Sequence, residues 1–112
     1  MAKKRSQKNN VPKSISPFVW GYITTLKKNK VPLEQVYLFG SWAKGNPHKW
    51  SDIDLAIVSP AFYSWQRQRR LLSKAMFTDF SAIEAHGIHP KDFTPEDNPI
   101  VAEILEHGIR VM

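Results

Sequence analysis

The stretch LFGSWAKGNPHKWSDIDLAIV, residues 38–58, constrains the fold more than any other part of the chain. Two apolar runs flank a loop that carries Gly40-Ser41, Gly45, Pro47 and Ser51-Asp52-Ile53-Asp54. The run QVYLFGS is β-branched and aromatic and ends at glycine, the pattern of a short buried strand. The run DIDLAIV alternates, which places Ile53, Leu55 and Ile57 on one face of a second strand and Asp52, Asp54 and Ala56 on the other. Burying unpartnered carboxylates beside a core is costly, so the acids at the start of this strand call for a partner.

The remaining elements follow from periodicity and end signals. Ser16-Pro17 reads as a helix start, with serine as the N-cap and proline at the first helical position. Phe18, Tyr22, Ile23 and Leu26 then recur at helical spacing, and the helix fades in KKNK before Pro32. From about residue 61 to 79 a second helical period places Trp65, Leu72, Ala75, Met76 and Phe80 on an apolar face and Arg67, Arg70 and Lys74 on another. FSAIEAH reads as a third strand. Asn98 caps a last helix with Pro99 at its start and Val101, Ile104 and Leu105 on its apolar side; Gly108 closes it, and IRVM forms a short edge strand. The order α-β-β-α-β-α-(β) implies an α/β (α+β) domain, a mixed sheet of three to four strands packed with helices.

Charge divides the chain in two. Of the net +6, residues 1–16 carry +5 through Lys3, Lys4, Arg5, Lys8 and Lys13 with no acid. Residues 1–15 therefore read as a basic flexible tail, and residues 16–112 as the folded domain. The tail is either a solubilising segment or an arm for nucleic acid or an acidic partner. With 42% apolar and 23% charged residues the chain reads as soluble and globular. No run approaches a membrane span, and no apolar stretch follows the basic N-terminus as in a secretory signal. The absence of cysteine excludes disulfides and thiolate metal sites; a cytoplasmic location fits.

Alternate strand residues point the same way, with Cα atoms roughly 6.5 Å apart, so Asp52 and Asp54 converge. Two adjacent carboxylates repel, and a divalent cation removes the conflict. Mg²⁺ takes carboxylate oxygens and completes its shell with substrate phosphates. Gly40 lets backbone approach a ligand closely, Ser41 offers a hydroxyl and an amide to phosphate oxygens, and Gly45 permits the return turn. The stretch thus reads as a phosphate cradle beside a metal site.

Gly40-Ser41, ten residues, and then Asp52-x-Asp54 resembles the signature of the DNA polymerase beta nucleotidyltransferase superfamily. GSWAKG…SDIDL is similar to its minimal nucleotidyltransferase branch. The resemblance covers roughly residues 16–112. It departs from the usual pattern at Lys44, where arginine is frequent, and at Trp42, where a small or basic residue is usual. It implies a nucleotidyltransferase fold and two-metal transfer with two Mg²⁺ ions, or Mn²⁺, and ATP as substrate. It implies a third carboxylate on a later strand, matched here by Glu84, which completes the metal set with Asp52 and Asp54 or acts as general base. Gly40, Ser41, Lys44, Gly45 and Ser51 fall to nucleotide and phosphate binding.

The resemblance also implies an acceptor site supplied from outside the core. Many minimal nucleotidyltransferases are encoded beside a small helical partner of the HEPN class in toxin–antitoxin pairs, and some adenylylate a tyrosine of the toxin. The expected reaction is transfer of AMP from ATP to such a hydroxyl, with a HEPN-type partner or the chain's own oligomer. The alternatives are a small-molecule transferase of the aminoglycoside type, and a catalytically weak or inactive module that binds nucleotide or a partner. His86 and His89 lack zinc-ligand spacing, though His86 can border the nucleotide pocket. Trp42 and Trp50 flank the loop and either stack on a base, mark a partner surface or pack locally. Arg67, Arg70 and Lys74 are either a solvated face or a contact for phosphates or an acidic partner.

Overall fold

The computed structural model describes residues 11–48, 51–75 and 82–112, the side chains of residues 74 and 75 excepted. In chain order the elements are α1 (Ser16–Lys28), β1 (Gln35–Phe39), a single helical turn α2 (Ser41–Lys44), β2 (Ile53–Val58), α3 (Trp65–Ala75), β3 (Ile83–Ile88), α4 (Pro99–His107) and β4 (Ile109–Arg110). The strands form one mixed sheet in the order β3-β2-β1-β4. β1 runs antiparallel to β2 and to β4, while β2 and β3 are parallel and joined through α3. The expected α/β architecture is present, and the mixed sheet, expected to have three to four strands, has four.

The alternation in β2 divides the interior. Ile53, Leu55 and Ile57 join Val36 and Leu38 of β1 in a large apolar cluster with Val19, Tyr22, Ile23 and Leu26 of α1 and Leu72 of α3. The opposite face holds a smaller cluster of Phe39, Ala56, Val58 and Ile88 beneath Val101 and Ile104 of α4. The Tyr22 hydroxyl donates to the Leu72 carbonyl at 3.2 Å, tying α1 to α3.

α1 begins one residue earlier than Ser16-Pro17 suggests. Ile15 is the N-cap, and among the described residues no side-chain hydrogen bond caps the helix. The amides of Ile15 and Ser16 both donate to the Pro12 carbonyl, a turn that buries Ile15 and Val11 in the large cluster. Apolar burial, rather than a serine cap, sets the entry angle, and packed residues reach back to Val11. Residues 1–10, with four of the five tail cations, lie outside the described residues. At the other end Lys30 is left-handed (φ 63°). The Val31 amide donates to the Leu26 carbonyl and the Lys30 amide to that of Lys27, a Schellman ending with Leu26 and Val31 as its apolar pair.

Four further expectations change. Trp65 does not share the apolar face of α3: it is 63% exposed, and the Arg69 guanidinium lies over its ring at 4.7 Å. Of the other residues expected on that face, Leu72 is buried; the Ala75 side chain, Met76 and Phe80 lie outside the described residues. Arg67 leaves the solvated face, because its Nε donates to the Ala61 carbonyl and its guanidinium covers Tyr63. Leu105 is 59% exposed, so α4 packs through Val101 and Ile104 alone of the three expected residues. Asn98 does cap α4, accepting from the Ile100 amide at 3.0 Å. Gly108 ends the helix in extended rather than left-handed backbone (φ −72°); it is small because a Cβ would meet the Ile104 carbonyl at 2.6 Å.

Candidate active site

The site forms where β1 ends, β2 begins and β3 runs alongside. Phe39 pairs with Asp54 across the antiparallel ladder, so the next residue, Gly40, leaves the sheet directly beside the Asp54 carboxylate. Gly40 has φ 76° and ψ −155°, a region open essentially to glycine alone. A Cβ there would also overlap Asp54 Oδ2 and stand 3.2 Å from its Cγ. Both constraints demand glycine, and both exist to let the chain turn tightly over Asp54.

Ser41 opens α2, whose turn is closed by the Ala43 and Lys44 amides donating to the Gly40 carbonyl. Gly45 is left-handed (φ 83°), and its amide donates to the Ser41 carbonyl. Ser51 clamps the far end of the loop: its hydroxyl accepts from the His48 amide at 2.8 Å, and its amide donates back to the His48 carbonyl at 2.9 Å. Lys44 extends to Glu103 of α4 at 3.6 Å, a half-exposed ion pair. Trp42 packs on the large cluster with its indole Nε1 buried and unpaired among the described residues. Trp50 lies outside the described residues.

Parallel pairing sets Asp54 opposite Glu84 and Ala56 opposite His86. Oxygens of Asp54 and Glu84 and a ring nitrogen of His86 lie within 4.8 Å of one another. His86 Nε2 stands 3.7 Å from Asp54 Oδ1, and the His86 ring meets Phe39 edge to face at 5.1 Å. Asp54 is pushed up to about 6: burial is the main cause, and a hydrogen bond and like charge from Glu84 add to it, while His86 acts in the opposite sense. Asp52 sits just ahead of β2, exposed, and outside this cluster.

Of the residues singled out by sequence, Gly40, Asp54 and Glu84 are thus brought into contact, with Ser41 next to them. Gly45 and Ser51 shape the loop, and Lys44 faces α4. His86 enters the cluster as a residue expected only to border a pocket. Its signal was present: Glu84-x-His86 repeats the alternation of Asp52-x-Asp54, which puts both side chains on one strand face. His89 instead accepts from the Lys91 amide and caps a short turn.

The donor set fits a divalent cation. Two carboxylates set side by side, one of them pushed up to about 6, are relieved by a positive charge between them. Asp54 and Glu84 would hold the ion, with Asp52 as the exposed acid beside them.

A four-stranded mixed sheet with facing carboxylates on parallel strands, roofed by a glycine-opened helical turn, makes this a mixed α/β domain of the nucleotidyltransferase fold. The chain belongs to the family described as "Polymerase beta, Nucleotidyltransferase", whose pattern matches residues 22–112. Among curated proteins none matches by sequence. Of solved structures, a toxin–antitoxin crystal structure with AMP-PNP is similar, with 22% identity over 81% of this chain and 70% of that one and a TM-score of 0.57. A mutant of the MntA–HpeT toxin–antitoxin is similar at 20% identity, 80% and 68% coverage and a TM-score of 0.52. At these identities the likeness establishes the fold.

Proposed function

We propose that this chain is a divalent-metal-dependent nucleotidyltransferase that moves AMP from ATP to a hydroxyl, and that the hydroxyl is a tyrosine of a small helical HEPN-type partner, making the chain an antitoxin. The observation that carries the chemistry is the Asp54–Glu84 pair set against Gly40. Family membership supports the reaction class. The similar fold of a toxin–antitoxin crystallised with AMP-PNP supports the nucleotide and the partner.

The acceptor oxygen attacks the α-phosphorus of ATP, the bond to the β-phosphate oxygen breaks, and pyrophosphate leaves. Asp54 and Glu84 would hold the ion, which when bound would supply Lewis-acid stabilisation of charge on the phosphates. Glu84, the more exposed of the pair, would also serve as general base for the acceptor's proton. Ser41 offers its hydroxyl and amide to the phosphates, since the first N–H groups of a helical turn have no intrahelical acceptor. Gly40 and Gly45 give those phosphates a backbone-lined approach free of Cβ atoms.

The test is incubation with α-labelled ATP, Mg²⁺ or Mn²⁺ and the product of the adjacent gene. Label is expected on the partner's tyrosine with wild type and none with Asp54→Asn. Label transferred equally by Asp54→Asn would overturn the site; label found only on small-molecule acceptors would overturn the partner.

A further inference from the structure

We propose that His86 supplies a nitrogen ligand to the ion held by Asp54 and Glu84, so that the site selects first-row transition ions such as Mn²⁺ over Mg²⁺. The inference rests on the reading that these carboxylates bind a divalent ion, and adds a ligand and a selectivity to it.

Strand alternation puts Glu84 and His86 on the same face of β3, with Asp54 opposite Glu84 on β2. His86 Nε2 is buried and has no hydrogen-bond partner among the described residues. Buried polar nitrogens are seldom left so, because desolvating one without a partner is costly. Its nearest acidic atom, Asp54 Oδ1 at 3.7 Å, is too far for a hydrogen bond. The separation does suit two ligands of one ion: atoms each about 2.1 Å from a metal lie about 3.0 Å apart at right angles and about 4.2 Å apart when opposed.

The ring is also held in place. Phe39 meets it edge-on, and Phe39 is itself buried in the α4-side cluster. An imidazole fixed beside two carboxylates changes which ion the site prefers. Mg²⁺ takes oxygen ligands and keeps its waters, whereas nitrogen donors favour first-row transition ions. A purely carboxylate site has a weaker bias, since carboxylate ligands suit Mg²⁺ and Mn²⁺ alike.

The experiment uses the whole chain with Mn²⁺ alone, read by electron spin-echo modulation from ¹⁴N and by titration of free Mn²⁺, with Mg²⁺ as competitor. Histidine nitrogen coupling is expected in wild type. It should vanish in His86→Asn, which should bind Mn²⁺ at least about tenfold more weakly while Mg²⁺ affinity moves less than about threefold. Bound Mn²⁺ without nitrogen coupling in wild type overturns the proposal and leaves the carboxylate site standing; this needs no variant to fold. Coupling that persists in His86→Asn overturns it equally. Failure of wild type to bind Mn²⁺, or equal binding by Asp54→Asn, would sink the carboxylate reading and the proposal with it.

Discussion

On the face of the sheet toward α1 and α3, β2 sets down Ile53, Leu55 and Ile57; on the face toward α4 the same strand sets down Asp54, Ala56 and Val58. The first face is covered from end to end by apolar side chains. The second is apolar only at its far end, where Val58 and Ile88 meet Val101 and Ile104. Its near end, beside Gly40, is given to carboxylates and a histidine. The contrast teaches a division of labour within one strand. The inward face supplies the burial that holds the sheet, and that allows the other face to keep groups that destabilise it. Asp54 carries the cost: burial, with Glu84 beside it, pushes it up to about 6.

The largest effect that can break this comparison is on the inward face. Leu55 is fully buried, so Leu55→Ala should cost about 2–5 kcal/mol by urea unfolding; a cost below about 1 kcal/mol would deny that this face carries the fold. Next is Gly40→Ala at the seam between the faces. Positive φ and overlap with Asp54 should cost about 1–3 kcal/mol and reduce nucleotide transfer as well. A variant with wild-type transfer would show that the close approach to Asp54 is incidental.

A titration sharpens the contrast further. Folding raises Asp54 from 3.8 to about 6, so folding favours its protonated form. Its contribution is therefore fully present below about pH 4 and lost as pH rises through 6, on the order of 2 kcal/mol without metal. Stabilisation by Mn²⁺ should run oppositely and grow through the same window, because the ion needs the carboxylate ionised. Denaturant midpoints at pH 4.5 and 7.5, with and without Mn²⁺, read both slopes; parallel slopes would contradict binding of the ion to the ionised form of the buried Asp54. The smallest effect lies at the end of α1. Lys30 is left-handed, so Lys30→Gly should raise stability by about 0.5–1 kcal/mol and leave transfer unchanged.

Much of this was legible in sequence because strand alternation is a local signal. Asp52-x-Asp54 against Ile53, Leu55 and Ile57 announced two faces, and Glu84 could be named as the third acid. What a single strand cannot reveal is register. Only the pairing of Asp54 with Glu84 and Ala56 with His86 shows that the histidine joins the acids; the ligand-atom cluster among the described residues holds these three and not the exposed Asp52. Helix faces were less legible for a similar reason. Trp65 and Leu105 fit an apolar stripe by spacing, yet the core under α3 and α4 ends before it reaches them. Ser16 fits a cap by residue type, yet burial of Ile15 and Val11 moved the helix start.

The central claim is that the α4-side face gives up stability to hold a cation. The most direct test is the melting of wild type and Asp54→Asn at pH 7.5, each with and without Mn²⁺ at 100 times its wild-type Kd. Asp54→Asn should melt at or above wild type without the ion. Wild type should gain about 2.7 kcal/mol with the ion, and Asp54→Asn should gain almost nothing. An Asp54→Asn protein that melts below wild type and still gains the full ion-dependent rise would contradict the account.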